Sequence, residues 1–371
     1  NTVSSDDPAI DQSNKAYCEL LAERLDALKF NCQLYAVPRH AHNTQLQKWN
    51  LIARRAGQKS TQGGLMLSGH SDTVPAELPQ WQYDPWQLTQ QNSHLYGLGV
   101  TDMKGFFASV IAALEHLPLT HQRPISLVIT ADEETTMAGA RALRAEQLCA
   151  PQLNIIGEPT RLQPVISHKG YLAYRITLNS KGGHSSLNRQ QINCINAMAA
   201  VIQQLQQLAT RLQTLRRNDQ FSVPVTTLNI GTLNAGDAIN RICANATLEL
   251  DIRPLPGVEP EQIELWLQQA IDAALREFQV SALLSPIYSP VSSFTSSAKT
   301  HPLFNGCQHH HSAYADYVTE APFFEQLGIP SLVMGPGDIR HAHQANECIS
   351  QIQLNKASKL YHRLLQDYCY Q

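Results

Sequence analysis

Leu65-Met66-Leu67-Ser68-Gly69-His70-Ser71-Asp72 is a short apolar run, entered through Gly63-Gly64, that ends in two ligand-type side chains. It reads as a buried strand running into a site. Residues i and i+2 of a strand share a side, so His70 and Asp72 can meet. One imidazole nitrogen is then free for a metal while the other is hydrogen-bonded to the carboxylate, the pairing that fixes a metal-ligating histidine. A strand-terminal histidine is by itself more often structural than ligating, so the rest of the chain decides.

Downstream, Val100-Thr101-Asp102-Met103-Lys104-Gly105 leads into a helical period over Met103 to Leu117, stopped by Pro118, so Asp102 is expected at a helix start. Ile125 to Thr130 is continuously apolar, as in a parallel sheet buried on both faces, and runs into Ala131-Asp132-Glu133-Glu134. A helix is expected over Ala138 to Leu148, then a strand from Leu153 to Ile156 ending in Gly157-Glu158-Pro159-Thr160. Upstream, a helix over Asn14 to Leu28 precedes strands at Gln33 to Val37 and Leu51 to Arg54. Strands alternating with helices and ending in acids describe an α/β sheet whose site lies beyond the strand carboxyl ends.

From Tyr171 the pattern changes to strand (Leu172 to Leu178), helix (Ile192 to Leu215), strands (Thr227 to Ile230 and Ala246 to Ile252), helix (Pro260 to Phe278) and strand (Val280 to Leu284). This is the split β-α-β order of a ferredoxin-like α+β module. The expected organisation is a first domain of residues 1–170 and 286–371, closed by a helix over Leu354 to Tyr368, with an inserted domain of residues 171–285.

The 371 residues suit two or three domains. A hydrophobic content of 43% and a charged content of 16% describe an ordinary soluble protein, and a formal charge of -3 gives no case for nucleic acid or an acidic membrane surface. The eight cysteines form no C-x-x-C pair, which argues for a reducing compartment, the cytoplasm by default. No apolar run is long enough for a membrane span, and the N-terminus lacks the profile of a signal peptide. The first residue is Asn1, so the true start is expected to lie upstream.

His70, Asp102, Glu134, Glu158 and His343 thus emerge as metal candidates, with Glu133 beside them. Two histidines and three carboxylates suit two zinc ions about 3.5 to 4 Å apart, one carboxylate bridging both. Glu133 is left as the proton acceptor that an activated water requires. The competing reading of Asp132-Glu133-Glu134 is a solvated helix N-terminus.

Ser68-Gly69-His70-Ser71-Asp72-Thr73-Val74-Pro75, Gly97-x-Gly99-x-Thr101-Asp102-Met103-Lys104-Gly105, Asp132-Glu133-Glu134, Gly157-Glu158-Pro159-Thr160 and His343-x-x-Asn346-Glu347 together resemble the two-zinc metallopeptidase family of aminoacylases, carboxypeptidase G and succinyl-diaminopimelate desuccinylase. The resemblance covers nearly the whole chain. It implies a zinc-exopeptidase-like catalytic domain, a mixed sheet between helices, with the inserted domain as lid and dimerisation unit. It implies that Asp102 bridges two zinc ions, cobalt being able to substitute. His70 and Glu158 would complete one site and Glu134 and His343 the other. Asp72 would orient His70, and Glu133 would act as general base and then acid. It further implies that His184, in Gly182-Gly183-His184-Ser185, reaches the scissile carbonyl, that Asn240 and Arg253 hold substrate polar atoms and carboxylate, and that the protein is a homodimer acting on a small N-acyl amino acid. For Arg253 the competing reading is a strand-end surface cation. His309, His310 and His311 match no ligand motif and read as a polar loop.

Within the family, Met137-Ala138-Gly139-Ala140-Arg141, Asn240-Arg241-Ile242-Cys243, Asp251-Ile252-Arg253-Pro254-Leu255-Pro256-Gly257 and Thr319-Glu320-Ala321-Pro322-Phe323 resemble a branch that removes an acetyl group from an amino acid. A desuccinylase or a deacetylase of acetylcitrulline is the runner-up. Glu320 is expected either in the zinc cleft, facing a substrate ammonium or supporting the metal shell, or as the cap of a helix starting at Ala321-Pro322. A dehydrogenase is disfavoured because Gly97-x-Gly99 lacks the third glycine at the required spacing, and no G-x-S-x-G elbow supports a serine hydrolase. A non-catalytic binding protein on the same fold would have lost ligands or Glu133, and all are present.

Overall fold

The computed structural model describes residues 1–39, 46–187, 189–298 and 313–371, so the triple histidine 309–311 lies outside the described residues. The chain divides into two compact units, one of residues 1–166, 296–298 and 319–371, the other of residues 167–295 and 313–318 among those described.

The first unit is built on a six-stranded mixed sheet. Its order is Asn31–Ala36, Trp49–Arg55, Ile125–Thr130, Leu65–His70, Leu153–Pro159 and Ser331–Gly335. The first two strands are antiparallel to their neighbours, and the last four run parallel. Leu65–His70 and Ile125–Thr130 are buried at every position, as expected of central strands of a sheet covered on both faces. Parallel pairing of His70 with Thr130 sets both strands' carboxyl ends at one edge. Helices Lys15–Ala27, Lys104–Glu115 and Gln351–Cys369 flank the sheet. The last two pack together, with Phe106 edge-on to Tyr361 at 5.3 Å between ring centroids.

The helix expected over Ala138 to Leu148 is instead a short helix, Ala138–Arg141, and a 3-10 turn, Ala145–Gln147. Gly139 is held against the preceding loop, its N–H bonded to the Ala131 carbonyl at 3.0 Å, where a Cβ would meet Ala131 N at 2.4 Å. Arg144 is extended (φ -127°, ψ 143°) and donates its N–H to Gln147 Oε1, so the helical ladder is broken by a local side-chain acceptor.

The second unit carries a four-stranded antiparallel sheet, Thr227–Ala235, Asn245–Arg253, Leu172–Asn179 and Ser281–Pro286 in spatial order. With helices Cys194–Leu215 and Pro260–Ala274 this is the ferredoxin-like arrangement. Alternation along Leu172–Asn179 sends Leu172, Tyr174, Ile176 and Leu178 onto Val201, Leu205, Leu208 and Leu212 of the longer helix, whose start is capped by Asn193 accepting from Ile195 N–H at 3.0 Å. No described helix is long and apolar enough to cross a membrane.

Candidate metal centre

Three parallel strands and two loops of the first unit bring the acidic and histidine side chains together. His70 ends its strand, and its Nε2 lies 3.0 Å from Asp102 Oδ1 and 3.9 Å from Glu158 Oε1. Asp102, immediately ahead of helix Lys104–Glu115, has its other oxygen 3.3 Å from His343 Nε2, which is also 3.0 Å from Glu134. The order is therefore Glu158, His70, Asp102, His343, Glu134, with Asp102 central. His343 adopts a left-handed backbone, φ 57°.

The loop after Ile125–Thr130 turns through a positive φ of 58° at Asp132. This aims the amides of Glu133 and Glu134 at the two oxygens of Asp72, at 3.2 and 3.1 Å. His70 Nδ1 consequently faces the backbone carbonyl of Asp72 at 3.1 Å, with the carboxylate at 3.7 Å. The expected side-chain bond from Asp72 to His70 is thus replaced by a backbone one, because the carboxylate is engaged in shaping the acidic loop. Asp132 is anchored by Ser4 Oγ at 2.5 Å and by Lys48 Nζ at 3.1 Å, and Lys48 also pairs with Asp11 at 2.6 Å.

Burial pushes the Glu133 and Glu158 carboxyls well above their usual range, and neighbouring carboxylates add to the shift. Glu134 is raised too, by burial first. For Asp102 burial is outweighed by hydrogen bonds from His343 and His70, which hold it below the carboxylate range. Hydrogen bonds to Asp102 and Glu134 lift His343 to about 11.

Glu320 precedes helix Ala321–Gln326 but makes no capping bond. It is fully buried, accepts from Thr130 Oγ1 at 2.8 Å, and leaves its other oxygen without a partner among the described residues. The capping alternative therefore does not hold. In the second unit, His184 and Asn240 are neighbours: Gly183–His184 pairs with Arg241–Ile242, and Ser185 N–H reaches the Asn240 carbonyl at 3.1 Å. His184 is exposed, its Nδ1 2.8 Å from Ser186 Oγ. Arg253 ends its strand, bonded to Asp251 at 3.2 Å and lying 4.1 Å over the Tyr171 ring. Three participants carry no site role in the sequence reading. Glu347 stands in a quoted motif, whereas Lys48 and Thr130 give no local signal.

The donor set fits two divalent cations. His70, Asp102 and Glu134 each offer a ligand atom within 4.8 Å of the others, and Glu158 Oε1 is buried with no hydrogen-bond partner among the described residues. Two imidazoles either side of one carboxylate, each with its own terminal carboxylate, are hard and borderline donors of the kind that hold a pair of such ions.

The model of peptidase family M20/M25/M40 matches residues 66–367, and the chain belongs to this family of metallo-hydrolases. It is 38% identical to acetylornithine deacetylase of Yersinia pestis across all of this chain and 95% of that one, and 38% identical to that of Proteus mirabilis across 99% and 94%. Among solved structures, the M20 family metallo-carboxypeptidase Sso-CP2 of Sulfolobus solfataricus superposes with a TM-score of 0.73 at 18% identity, covering 98% of this chain and 95% of the other. The dinuclear metal-binding peptidase YXEP of Bacillus subtilis gives 0.65 at 16%, covering 94% and 90%.

Proposed function

We propose that the protein removes the acetyl group from N2-acetylornithine, giving ornithine and acetate, a step that supplies arginine biosynthesis in the cytoplasm. The observation that carries the substrate is the 38% identity along the whole chain to relatives named acetylornithine deacetylase. His70, Asp102, Glu134, Glu158 and His343 would hold two zinc ions, with cobalt as a substitute, which when bound polarise the amide carbonyl and acidify water. Glu133 takes the proton of the attacking water on its carboxylate and returns it to the leaving amine. Its burial among acids raises its affinity for a proton, which supports this role once bound cations keep it ionised. Asp72 fixes the amides of Glu133 and Glu134 and so holds the base in place.

His184 donates a hydrogen bond to the oxygen that becomes negative, Asn240 binds a substrate polar atom, and Arg253 forks onto the substrate carboxylate. We read the protein as a homodimer. Leu187, Leu233 and Ile239 are exposed apolar side chains of the second unit, surface that another copy would cover. The test is a panel of N-acetyl and N-succinyl amino acids, assayed after loading with zinc or cobalt. N-acetylornithine should give the highest kcat/KM. A preference for N-succinyl-diaminopimelate would replace the reading with the desuccinylase one, and inactivity on the whole panel would favour a binding protein.

A further inference from the structure

Glu347 is 2% exposed and takes three backbone amides from one loop. Gly99 N–H donates to Oε2 at 2.8 Å, and Thr101 and Asp102 N–H donate to Oε1 at 2.7 and 3.0 Å. The same segments are joined by Gly97 N–H to the Glu347 carbonyl at 3.1 Å and by Thr101 Oγ1 to the Cys348 carbonyl at 2.7 Å. Beyond these bonds the pairing continues as an antiparallel ladder between His94–Tyr96 and Cys348–Ser350. The loop can present its amides this way because Gly99 is left-handed, φ 79°, where a Cβ would also meet Thr73 Cγ2 at 2.7 Å.

Three converging donors need a group that only accepts. A carboxylate does this with both oxygens, whereas an amide must turn an NH2 toward at least one N–H. The clamped loop ends in Asp102, and the clamp sits four positions after His343. Glu347 thus ties two segments whose side chains meet at 3.3 Å in the metal centre.

We propose that Glu347 is a positioning residue of this centre: by clamping the Gly99–Asp102 loop it fixes Asp102 relative to His343 and so sets the affinity for the pair of metal ions. The proposal rests on Asp102 and His343 being ligands and not on the identity of the substrate. A purely structural clamp would lower only the melting temperature.

The experiment compares wild-type and Glu347→Gln protein, stripped with chelator and kept well below the melting temperature of either. Each is titrated with Zn2+ against a competing chelating indicator, and with Co2+ while the visible absorption is followed. Glu347→Gln should bind the more weakly held ion roughly 10- to 100-fold less tightly, with altered Co2+ bands. Turnover should fall while KM changes little. Wild-type affinities and bands in a variant that merely melts earlier would overturn the proposal. Should Glu347→Gln not fold, Glu347→Asp keeps the charge and shortens the reach, and the same shift in affinity is expected; unchanged affinity would again overturn it. Wild-type protein that binds two ions yet leaves N-acetylornithine intact would sink the substrate reading and leave this one standing.

Discussion

Replacing Glu320 by glutamine should change stability in a way that depends on pH. The carboxyl is fully buried, bonded through one oxygen to Thr130 and unpartnered at the other among the described residues. Burial raises it from 4.5 to about 7, with the nearby Asp72 adding to the shift against Thr130 and His70. Below pH 4.5 both the folded and the unfolded chain hold the proton. Between 4.5 and 7 only the folded chain does, and above 7 neither does, so the stability tied to this proton is present in acid and lost as pH rises through 7. At 1.4 kcal/mol per pH unit, the interval is worth about 3 kcal/mol. Glu320→Gln keeps the shape and the acceptor for Thr130 but does not titrate. In chelator-stripped protein, urea unfolding at successive pH values should show the variant gaining on wild type from pH 4.5, with a plateau of about 3 kcal/mol above pH 7. A difference that stays flat with pH would refute the buried-acid account. With metal restored, the variant should also narrow the preference for N-acetylornithine over the uncharged N-acetylcitrulline, since a site built around a charged pair rejects the neutral analogue. Should the ratio of kcat/KM values stay at wild type, Glu320 does not sense the substrate ammonium.

Glu133→Gln should retain near-normal metal content while turnover drops by roughly 10² to 10⁴; loss of a metal ion, measured by elemental analysis, would show that Glu133 and Glu134 have exchanged roles. If His184 is supplied by a second copy of the chain, mixing inactive Glu133→Gln and His184→Ala proteins should restore activity after subunit exchange, and no recovery despite proven exchange counts against the trans arrangement. In chelator-stripped protein, hydrogen bonds to Asp102 and Glu134 raise His343 to about 11, so that contribution to stability is full below 6.5 and is lost progressively as pH rises from 6.5 to 11. A metal must displace this proton, so zinc uptake at pH 7.5 in weak buffer should acidify the solution; uptake with no proton release would contradict the assignment of His343 as a ligand.

The sheet and its site were legible where burial on both faces wrote a continuous apolar run. Ile125–Thr130 keeps the bounds its composition implies, whereas the strand from Leu65 ends at His70, two residues short of Asp72, and the acids that follow Ile125–Thr130 lie where that strand leaves the core. Legibility failed where a distant or backbone group competes. The i, i+2 rule places His70 and Asp72 on one side, but it does not count the two amides that the positive φ at Asp132 turns onto Asp72. An acid before Ala321-Pro322 matches a helix cap, yet its partner is Thr130, 190 positions away in sequence. The break in the helix after Arg141 depends on a single amide choosing Gln147 Oε1, which a 3.6-residue period does not encode.

The same long-range groups explain how the centre is held against its own charge. Asp72, Glu133, Glu134, Glu158 and Glu320 are all raised by burial, so these carboxyls resist ionisation. Few cations of the described structure face them: His70 and His343 lean on Asp102 first, Lys48 is committed to Asp11 and Asp132, and Lys104 is shared between Asp72 and Glu347. Divalent ions would supply the missing positive charge, and their binding energy would then appear as folding energy. Backbone amides hold the acidic side chains in place: those of Glu133 and Glu134 on Asp72, and those of Gly99, Thr101 and Asp102 on Glu347. Amide donors carry no net charge and do not titrate, so they fix acidic side chains without consuming the ligand atoms that face the site.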